Sequence, residues 1–498
     1  DRDIKRYSLI LFDSGGMEPK KMKNKELVLT GSQQQVLEAL IGFIRDKVTK
    51  IFILCGYAGT GKTTMMKVFI KELERRNLPF SLLASTGRAA KILSNVTGHL
   101  ASTIHSLIYT FDDLNQNMEN LVEQREKSGV DKSGQLLLNF LLTPVEDYPG
   151  ESRYYIVDES SMISDVMDKN ATQAYFGSGR LLADLLAFDP KGKFIFVGDV
   201  CQLSPILQEN FPALSSEYIR EVYKIAVEKM ELTEIVRQNS ENDLILSAQK
   251  MRNLYMHPPV CTWGRFPLRG YQHIHLYPSQ YNLLGAYING VKEKGYNAVT
   301  MLTQSNKACA ELTNIIRPVL GFHSPQIEIG DLLLVTQNNY ISGLMNGDMV
   351  KIKDIGKRRE RAGLTFVYVE VEELFTGKNY SQLMIVDIVY GSMINLTQTQ
   401  QKELFIDFFI RMKEKGIRQK SEAFKKAMLT DPYLNALRAV FGYVLTCHKA
   451  QGGEWEEVYL DIPRRIAREP NVATYQWLYT AMTRARNTLH IVNDFYVQ

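Results

Sequence analysis

Cysteine is scarce and scattered: Cys55, Cys201, Cys261, Cys309 and Cys447 are the five in 498 residues, and no two stand at a metal-ligand spacing. Without a CxxC pair, neither a zinc site nor a disulfide framework is expected, and a reducing compartment fits best. Long apolar runs are missing as well. No stretch of about 18 consecutive apolar residues occurs, so no membrane span is expected. The first 25 residues hold an apolar core only from Leu9 to Phe12, too short for a signal peptide. Net charge is small: 59 Lys and Arg against 55 Asp and Glu leave +4. That balance excludes a uniformly basic grip on a polyanion. Low-complexity tracts and short repeats are also lacking. With 45% apolar and 23% charged residues, the composition is that of a folded chain of several domains.

What is present is a series of short apolar runs ending in polar or Gly-rich turns: Ile51–Cys55, Phe80–Ala84, Tyr154–Val157, Phe194–Val197, Val299–Thr303, Val458–Leu460 and Leu489–Val492. Runs apolar at nearly every position predict strands buried on both faces, as in a parallel sheet. Between them lie helical patterns. Met65, Met66, Phe69, Ile70 and Leu73 fall on one helix face after Lys62. The alternation predicts α/β layers.

Two stretches break that rhythm. Residues 111–150 carry eight acids against three bases, a net −5, and read as an insertion. Residues 331–395 hold successive strand-like runs (Leu332–Val335, Met349–Ile355, Leu364–Val371, Leu383–Val389) with no helices between, which predicts a small β barrel. A helical segment follows with Leu404, Phe405, Phe408, Phe409 and Met412 on one face, and Lys402–Lys426 sums to +4.

The strongest chemical signal is Gly56-Tyr57-Ala58-Gly59-Thr60-Gly61-Lys62-Thr63, a G-x-x-x-x-G-K-[ST] loop between a buried strand and an amphipathic helix. Its glycines let backbone N–H groups wrap a phosphate at a helix N-terminus. Lys62 is placed for the β/γ-phosphates and Thr63 for Mg²⁺. About 95 residues on, Tyr154–Val157 ends in Asp158-Glu159. Asp158 can hold the Mg²⁺, and Glu159 can orient and deprotonate a water. A binding-only site has no use for Glu159, so hydrolysis is favoured. Gln202, just past the next strand, reads as a γ-phosphate contact or as a capping turn. Arg237 reads as an arginine finger or as a solvated ion-pair partner. The turns Thr446–Trp455 and Tyr479–Arg486 offer hydroxyls, small residues and cations that suit either phosphate binding or helix capping.

These segments, in this order, resemble the RecD/Dda-like branch of superfamily 1 helicases over about residues 27–498. Thr446–Trp455 (T-x-H-K-A-Q-G-x-E-W) and Tyr479–Arg486 (Y-T-A-M-T-R-A-R) are especially similar to that branch. The resemblance implies an α/β fold of two RecA-like P-loop motor domains with parallel sheets, plus a small wedge insertion and an SH3-like β-barrel insertion. The corresponding boundaries are an N-terminal arm (1–26), a first motor domain (27–240) with its wedge (111–150), a second motor domain (241–339 and 441–498), and the barrel and helical insertion (340–440).

It also implies roles. Gln33, with Gln34 and Gln35 as neighbours that leave the register open, reads the adenine edge. Gly56, Ala58, Gly59, Thr60, Gly61, Lys62, Thr63, Thr64, Gly453 and Glu454 line the nucleotide pocket. Gln202 senses the γ-phosphate, and Arg237 and Arg484 close on it from opposite sides. Thr86, Gly87, Arg88, Thr103 and His105 in the first motor domain, and Asn306, Asn338, Thr446, His448 and Lys449 in the second, contact the strand. Ser85 stands where the family usually has Pro. The implied activity is ATP- and Mg²⁺-dependent 5′→3′ translocation on single-stranded DNA and unwinding at duplex junctions, by a monomeric cytoplasmic, nucleoid-associated motor of bacterial or phage-like type. An RNA helicase or a nucleoprotein remodeller is the alternative. The acidic wedge is expected to split a duplex sterically. Lys351–Arg361 and the basic helical segment read equally as outer DNA contacts or as solvated faces.

Overall fold

Apolar runs that can be satisfied only between two covering layers dictate the architecture. In the computed structural model, which describes residues 7–9, 25–27, 29–122, 136–145, 152–167, 174–205, 208–235, 242–391, 393–468 and 470–498, they form two parallel sheets. The first is six-stranded, in the order Val227–Leu232, Ile51–Gly56, Lys193–Gly198, Tyr154–Asp158, Phe80–Ala84, Ala101–Thr103. Every neighbouring pair is parallel. The central strands Ile51–Gly56 and Lys193–Gly198 are buried at all positions because helices cover both faces. One face carries Val36, Leu40 and Phe43 of helix Gly31–Arg45 and Met65, Phe69 and Leu73 of helix Lys62–Arg75. The other carries Ile104, Ile108, Leu182 and Leu185.

The second sheet has five strands, in the order Ile274–Tyr277, Ala485–Val492, Trp455–Leu460, Val299–Thr303, Val444–Thr446, again all parallel. Helices Leu244–Met256 and Val472–Met482 pack on one face, and Gln280–Lys294 with Asn306–Val319 on the other.

A separate five-stranded antiparallel sheet, Asn379–Ile385, Leu364–Glu373, Met349–Arg361, Leu332–Val335, Ala439–Phe441, stands where the barrel is expected. It begins at Leu332, ahead of the expected boundary at 340, because Leu332–Val335 pairs with both Met349–Arg361 and Ala439–Phe441. The run Leu383–Val389 is not a single strand. Pairing ends at Ile385, and Val386–Tyr390 turns into a short helix whose Val386, Ile388 and Val389 are buried. An apolar run of that length is ambiguous between strand and buried helix, and tertiary packing decides it.

The 111–150 insertion is built on the hairpin Tyr109–Leu114/Leu138–Leu142, to which Ala174–Phe176 adds in parallel. Residues 123–135 and 146–150 of the insertion lie outside the described residues. Its apolar side (Leu114, Met118, Leu121, Leu136) packs against Phe405, Phe408, Phe409 and Met412 of helix Gln398–Glu414 and Phe424 and Met428 of helix Glu422–Thr430. The predicted helix face is therefore correct, but the segment is not simply an outward-facing basic surface. Lys413 lies 3.4 Å from Glu119, Lys425 lies 3.7 Å from Asp112, and Gln419 accepts the Met118 N–H at 2.9 Å. The acidic insertion and the basic segment are in part each other's counter-charge. Exposed pairs of this kind contribute about 0–1 kcal/mol each, so the interlocked phenylalanines dominate the contact. Among the described residues, no helix is long and apolar enough to cross a membrane.

Candidate nucleotide and strand-binding site

The P-loop follows strand Ile51–Gly56 and passes directly into helix Lys62–Arg75. Gly59 and Gly61 take φ +82° and +87°, the left-handed region that glycine alone enters cheaply. Lys62 Nζ donates to Gly56 O at 2.6 Å and Tyr57 O at 3.2 Å, and the buried Thr60 hydroxyl donates to Tyr57 O at 2.8 Å. Gln33 is 1% exposed and donates to Thr60 O at 3.3 Å, while its Oε1 accepts the Thr30 N–H in a capping box. Of the three consecutive glutamines, this is the one the fold turns onto the P-loop. Thr63 is exposed and Thr64 half-buried in the helix's first turn.

Asp158 ends its strand with Oδ1 accepting the Glu159 N–H at 2.9 Å. Burial raises its carboxyl pKa, and the neighbouring Glu159 charge adds to the effect. Glu454, from the other motor domain, contributes in the same direction, which places it across the cleft. Glu159 adopts φ +51°, unusual for a non-glycine residue. Ser85, the departure from the family pattern, donates to Glu159 O at 2.8 Å. A hydroxyl thus ties the end of strand Phe80–Ala84 to the Asp158–Glu159 turn, which a proline could not do. The Thr63 hydroxyl and Asp158 carboxylate are hard oxygen donors, a set that suits Mg²⁺ completed by phosphates and water. Among the described residues, no cluster of three or more His, Cys, Asp or Glu forms a closed metal cage.

Gln202 is 5% exposed and its Oε1 lacks a partner among the described residues, the condition of a buried amide open to a donor. Arg484 is buried with Nε on Thr480 O (3.1 Å), Nη1 on Gly453 O (3.3 Å) and Nη2 on Thr483 Oγ1 (3.2 Å). Glu454 pairs with Arg486 at 3.1 Å. Arg237 lies outside the described residues. Glu454 and Arg484 immediately precede strands Trp455–Leu460 and Ala485–Val492. The second sheet thus turns the N-terminal ends of its central strands toward the C-terminal ends of the first.

Residues not assigned from sequence complete this boundary. Tyr479 accepts the Ala58 N–H of the P-loop at 3.2 Å and donates to Asp199 at 2.8 Å. Gln476 donates to Gln202 O at 2.7 Å, Thr480 accepts the Leu203 N–H at 3.0 Å, and Gln451 donates to Leu203 O at 3.3 Å. The last three bonds cross between motor domains onto the segment that carries Gln202. Arg252 stacks 3.1 Å over the Tyr57 ring, beside a cleft also lined by Ala58, Ala248, Tyr479 and Thr483. The spacing of Gln476, Tyr479 and Thr480 on one helix face was the available signal, but nothing in sequence says which element that face meets.

The strand-contact candidates separate into two edge clusters. Thr86 and Thr103 follow the outer strands Phe80–Ala84 and Ala101–Thr103, while Asn306 and Thr446–Lys449 follow Val299–Thr303 and Val444–Thr446. Three of these side chains already have partners. The hydroxyls of Thr86 and Thr103 are helix caps, accepting the N–H of Ala89 and of Ser106, both at 3.2 Å. Arg88 is committed to the domain boundary: its guanidinium stacks 4.2 Å from the Trp455 ring centre. Gly452 and Gly453 make that approach possible, since a Cβ on Gly453 would lie 2.8 Å from Arg88 Nε and one on Gly452 2.8 Å from Ala89 Cβ. His105 is half-buried edge-on to Phe176 at 5.1 Å, and burial pushes its pKa down to about 4, so the ring is neutral. Thr446 is buried, with its hydroxyl 3.4 Å from the Lys449 N–H, and Lys449 is half-buried. Asn306, Asn338 and His448 are exposed.

Comparison with known proteins agrees with this arrangement. Residues 28–253 match the AAA domain family and residues 441–492 the UvrD-like helicase C-terminal domain. The ATP-dependent RecD2 DNA helicase of Deinococcus radiodurans is 26% identical over 94% of this chain, and the chain spans 49% of that protein's length. The ATP-dependent DNA helicase dda of Enterobacteria phage T4 is 36% identical over 20% of this chain and 22% of its own. A crystal structure of Pif1 helicase from Bacteroides, in complex with ADP-AlF3 and ssDNA, aligns over 94% of this chain and 93% of that one with 15% identity and a TM-score of 0.47. The two family matches fall on the two α/β domains in the order the motifs require, and the chain is similar to the RecD/Dda-like superfamily 1 helicases.

Proposed function

We propose that this protein is an ATP-dependent motor that translocates 5′→3′ on single-stranded DNA and unwinds duplex at junctions. The observation that carries the reading is one cleft between the domains, with Lys62, Asp158, Glu159 and Gln202 on one side and Glu454, Gln476 and Tyr479 meeting them from the other. A nucleotide switch with no moving track needs no second domain at its γ-phosphate.

In this reading Lys62 and the P-loop N–H groups hold the β/γ-phosphates, and Gln33 contacts the adenine edge. Thr63 and Asp158 hold Mg²⁺, which would neutralise charge on the phosphate oxygens. Glu159 orients the attacking water and accepts its proton. Arg484, and Arg237 from outside the described residues, stabilise charge on the γ-phosphate as the domains close. Asn306, Asn338, His448 and Lys449 grip the strand on the second domain, and alternating grip advances the protein.

Lys62→Ala is expected to abolish ATP hydrolysis while single-strand binding persists. Measuring both, with single-stranded DNA and with RNA of the same sequence as stimulant, tests the reading. Residual unwinding by the Lys62→Ala protein would refute the P-loop assignment, and stronger stimulation by RNA would reassign the track.

A further inference from the structure

We propose that a polar pit on the barrel insertion, built around Arg438, is a phosphate-binding site that holds one backbone phosphate of the translocated single strand. The proposal rests on the strand-motor reading above and adds to it a cation that lies outside the motifs named above. The pit is a shallow depression lined by Gln337, Asn338, Asn339, Asn435 and Arg438, together with Leu434 and Ala436.

Arg438 precedes strand Ala439–Phe441 and is 3% exposed. Its guanidinium donates from Nη1 to the neutral amide oxygen of Asn395, at 3.1 Å. Among the described residues, no carboxylate pairs with it. Burial alone acts on its guanidinium, pushing the pKa down to about 10 with no opposing charge. A buried cation without a counter-ion is costly, and folded chains rarely keep one without an anion to receive. Buried Arg317 shows the contrast, making a bidentate pair with Asp331 at 2.8 and 2.9 Å.

Of the remaining lining, Asn339 already donates to Asn435 O at 2.6 Å and Asn435 to Met428 O at 2.7 Å, so the further amide donor is Asn338. Asn338 is exposed and uses its Oδ1 on the Asn346 N–H at 2.8 Å, which leaves its NH₂ for the pit. The neighbouring Thr336 hydroxyl has no partner among the described residues and can donate, whereas the unpartnered Gln337 amide oxygen can only accept. A guanidinium among neutral amides, with no aromatic wall, suits the oxygens of a phosphodiester and offers no face on which a base could stack.

The position fits a strand. The loop from Thr336 to Asp348 that forms one rim also reaches the first motor domain. Asp348 accepts from Lys91 at 2.6 Å, and Met345 lies against Gly87. The pit therefore sits beside the boundary where the Thr86–Arg88 turn of one domain meets the insertion of the other.

The test is binding of the full chain to a labelled oligothymidylate across a salt series, by fluorescence anisotropy. Arg438→Gln is expected to weaken binding about tenfold, the usual loss for a hydrogen bond to a charged group. The slope of log K against log [salt] should fall by about 0.7, the single-strand value for one lost phosphate contact. Arg438→Lys should restore most of the slope. An Arg438→Gln protein that melts like the wild type and binds with unchanged affinity and slope would overturn the proposal. If that variant does not fold, Gln337→Glu decides. A carboxylate there pairs with Arg438, so the melting temperature should rise while affinity falls, and unchanged affinity would overturn the proposal. Inorganic phosphate separates the two sources of the anion. If it raises the wild-type melting temperature in an Arg438-dependent way while strand affinity is indifferent to Arg438, the pit serves a free anion and the strand assignment falls. Absence of any strand binding by the wild type would instead refute the motor reading itself.

Discussion

Tyr479 shows how a single hydroxyl can belong to two domains. It accepts from the P-loop backbone and donates to the buried Asp199, so its removal leaves a backbone donor and a buried carboxylate each short of a partner. Such losses cost about 1–3 kcal/mol. Because both partners lie in the first domain while Tyr479 lies in the second, the loss falls on the closed arrangement. Tyr479→Phe is therefore expected to lower strand-stimulated ATP turnover about tenfold, equivalent to about 1.4 kcal/mol, while strand affinity changes little. Unchanged turnover in a steady-state assay would show that the contact plays no part in closure. The motif containing Tyr479 was legible in sequence, but its partners were not, because they come from segments hundreds of residues away whose approach depends on how the two sheets face each other.

At the scale of elements, the most informative contact joins the acidic insertion of the first domain to helices Gln398–Glu414 and Glu422–Thr430 of the second domain's insertion. Phe408 is fully buried there and meets the Phe424 ring edge-on at 5.3 Å. Phe408→Ala removes that keystone at a cost of about 3–5 kcal/mol. Under the proposed function the wedge then loses its support while the nucleotide cleft keeps all its groups. The expected outcome is a drop in duplex unwinding with strand-stimulated ATP hydrolysis retained. Equal loss of both activities in parallel assays would mean that the contact stabilises the whole motor and not the wedge. The helix and its apolar face follow from 3.6-residue periodicity alone. That its charged flank meets Asp112 and Glu119 could not be read from the net charges of −5 and +4, since a charge count carries no direction.

At the scale of the molecule, the two sheets are used at opposite edges. Under the proposed function, the first presents the C-terminal ends of its central strands to the nucleotide and those of its outer strands to the track. In the same reading the second presents N-terminal ends to the nucleotide and the C-terminal ends of Val299–Thr303 and Val444–Thr446 to the track. In that reading a change in the cleft would tilt one strand-binding edge relative to the other, as a stepping motor requires. The 5′→3′ direction is tested with duplexes carrying one single-stranded tail. Unwinding of the 5′-tailed substrate alone is expected, and activity confined to the 3′-tailed one would reverse the assignment.

The sequence by itself determined what is local. A glycine-rich loop between a buried strand and an amphipathic helix is a phosphate cradle wherever it is found, and runs of apolar residues with 3.6-residue periodicity between them specified the strands and helices around it. The scarcity of cysteine and of long apolar runs was equally decisive, because it rests on composition alone. Only the tertiary structure decided which polar groups were already spent. Thr86 and Thr103 cap helices, Arg88 stacks on a tryptophan of the other domain, and Arg438, unremarked in any motif, is a buried cation with no counter-ion among the described residues. The physical reason is that a side chain's availability depends on what lies within hydrogen-bonding distance of it, and those neighbours come mostly from distant parts of the chain.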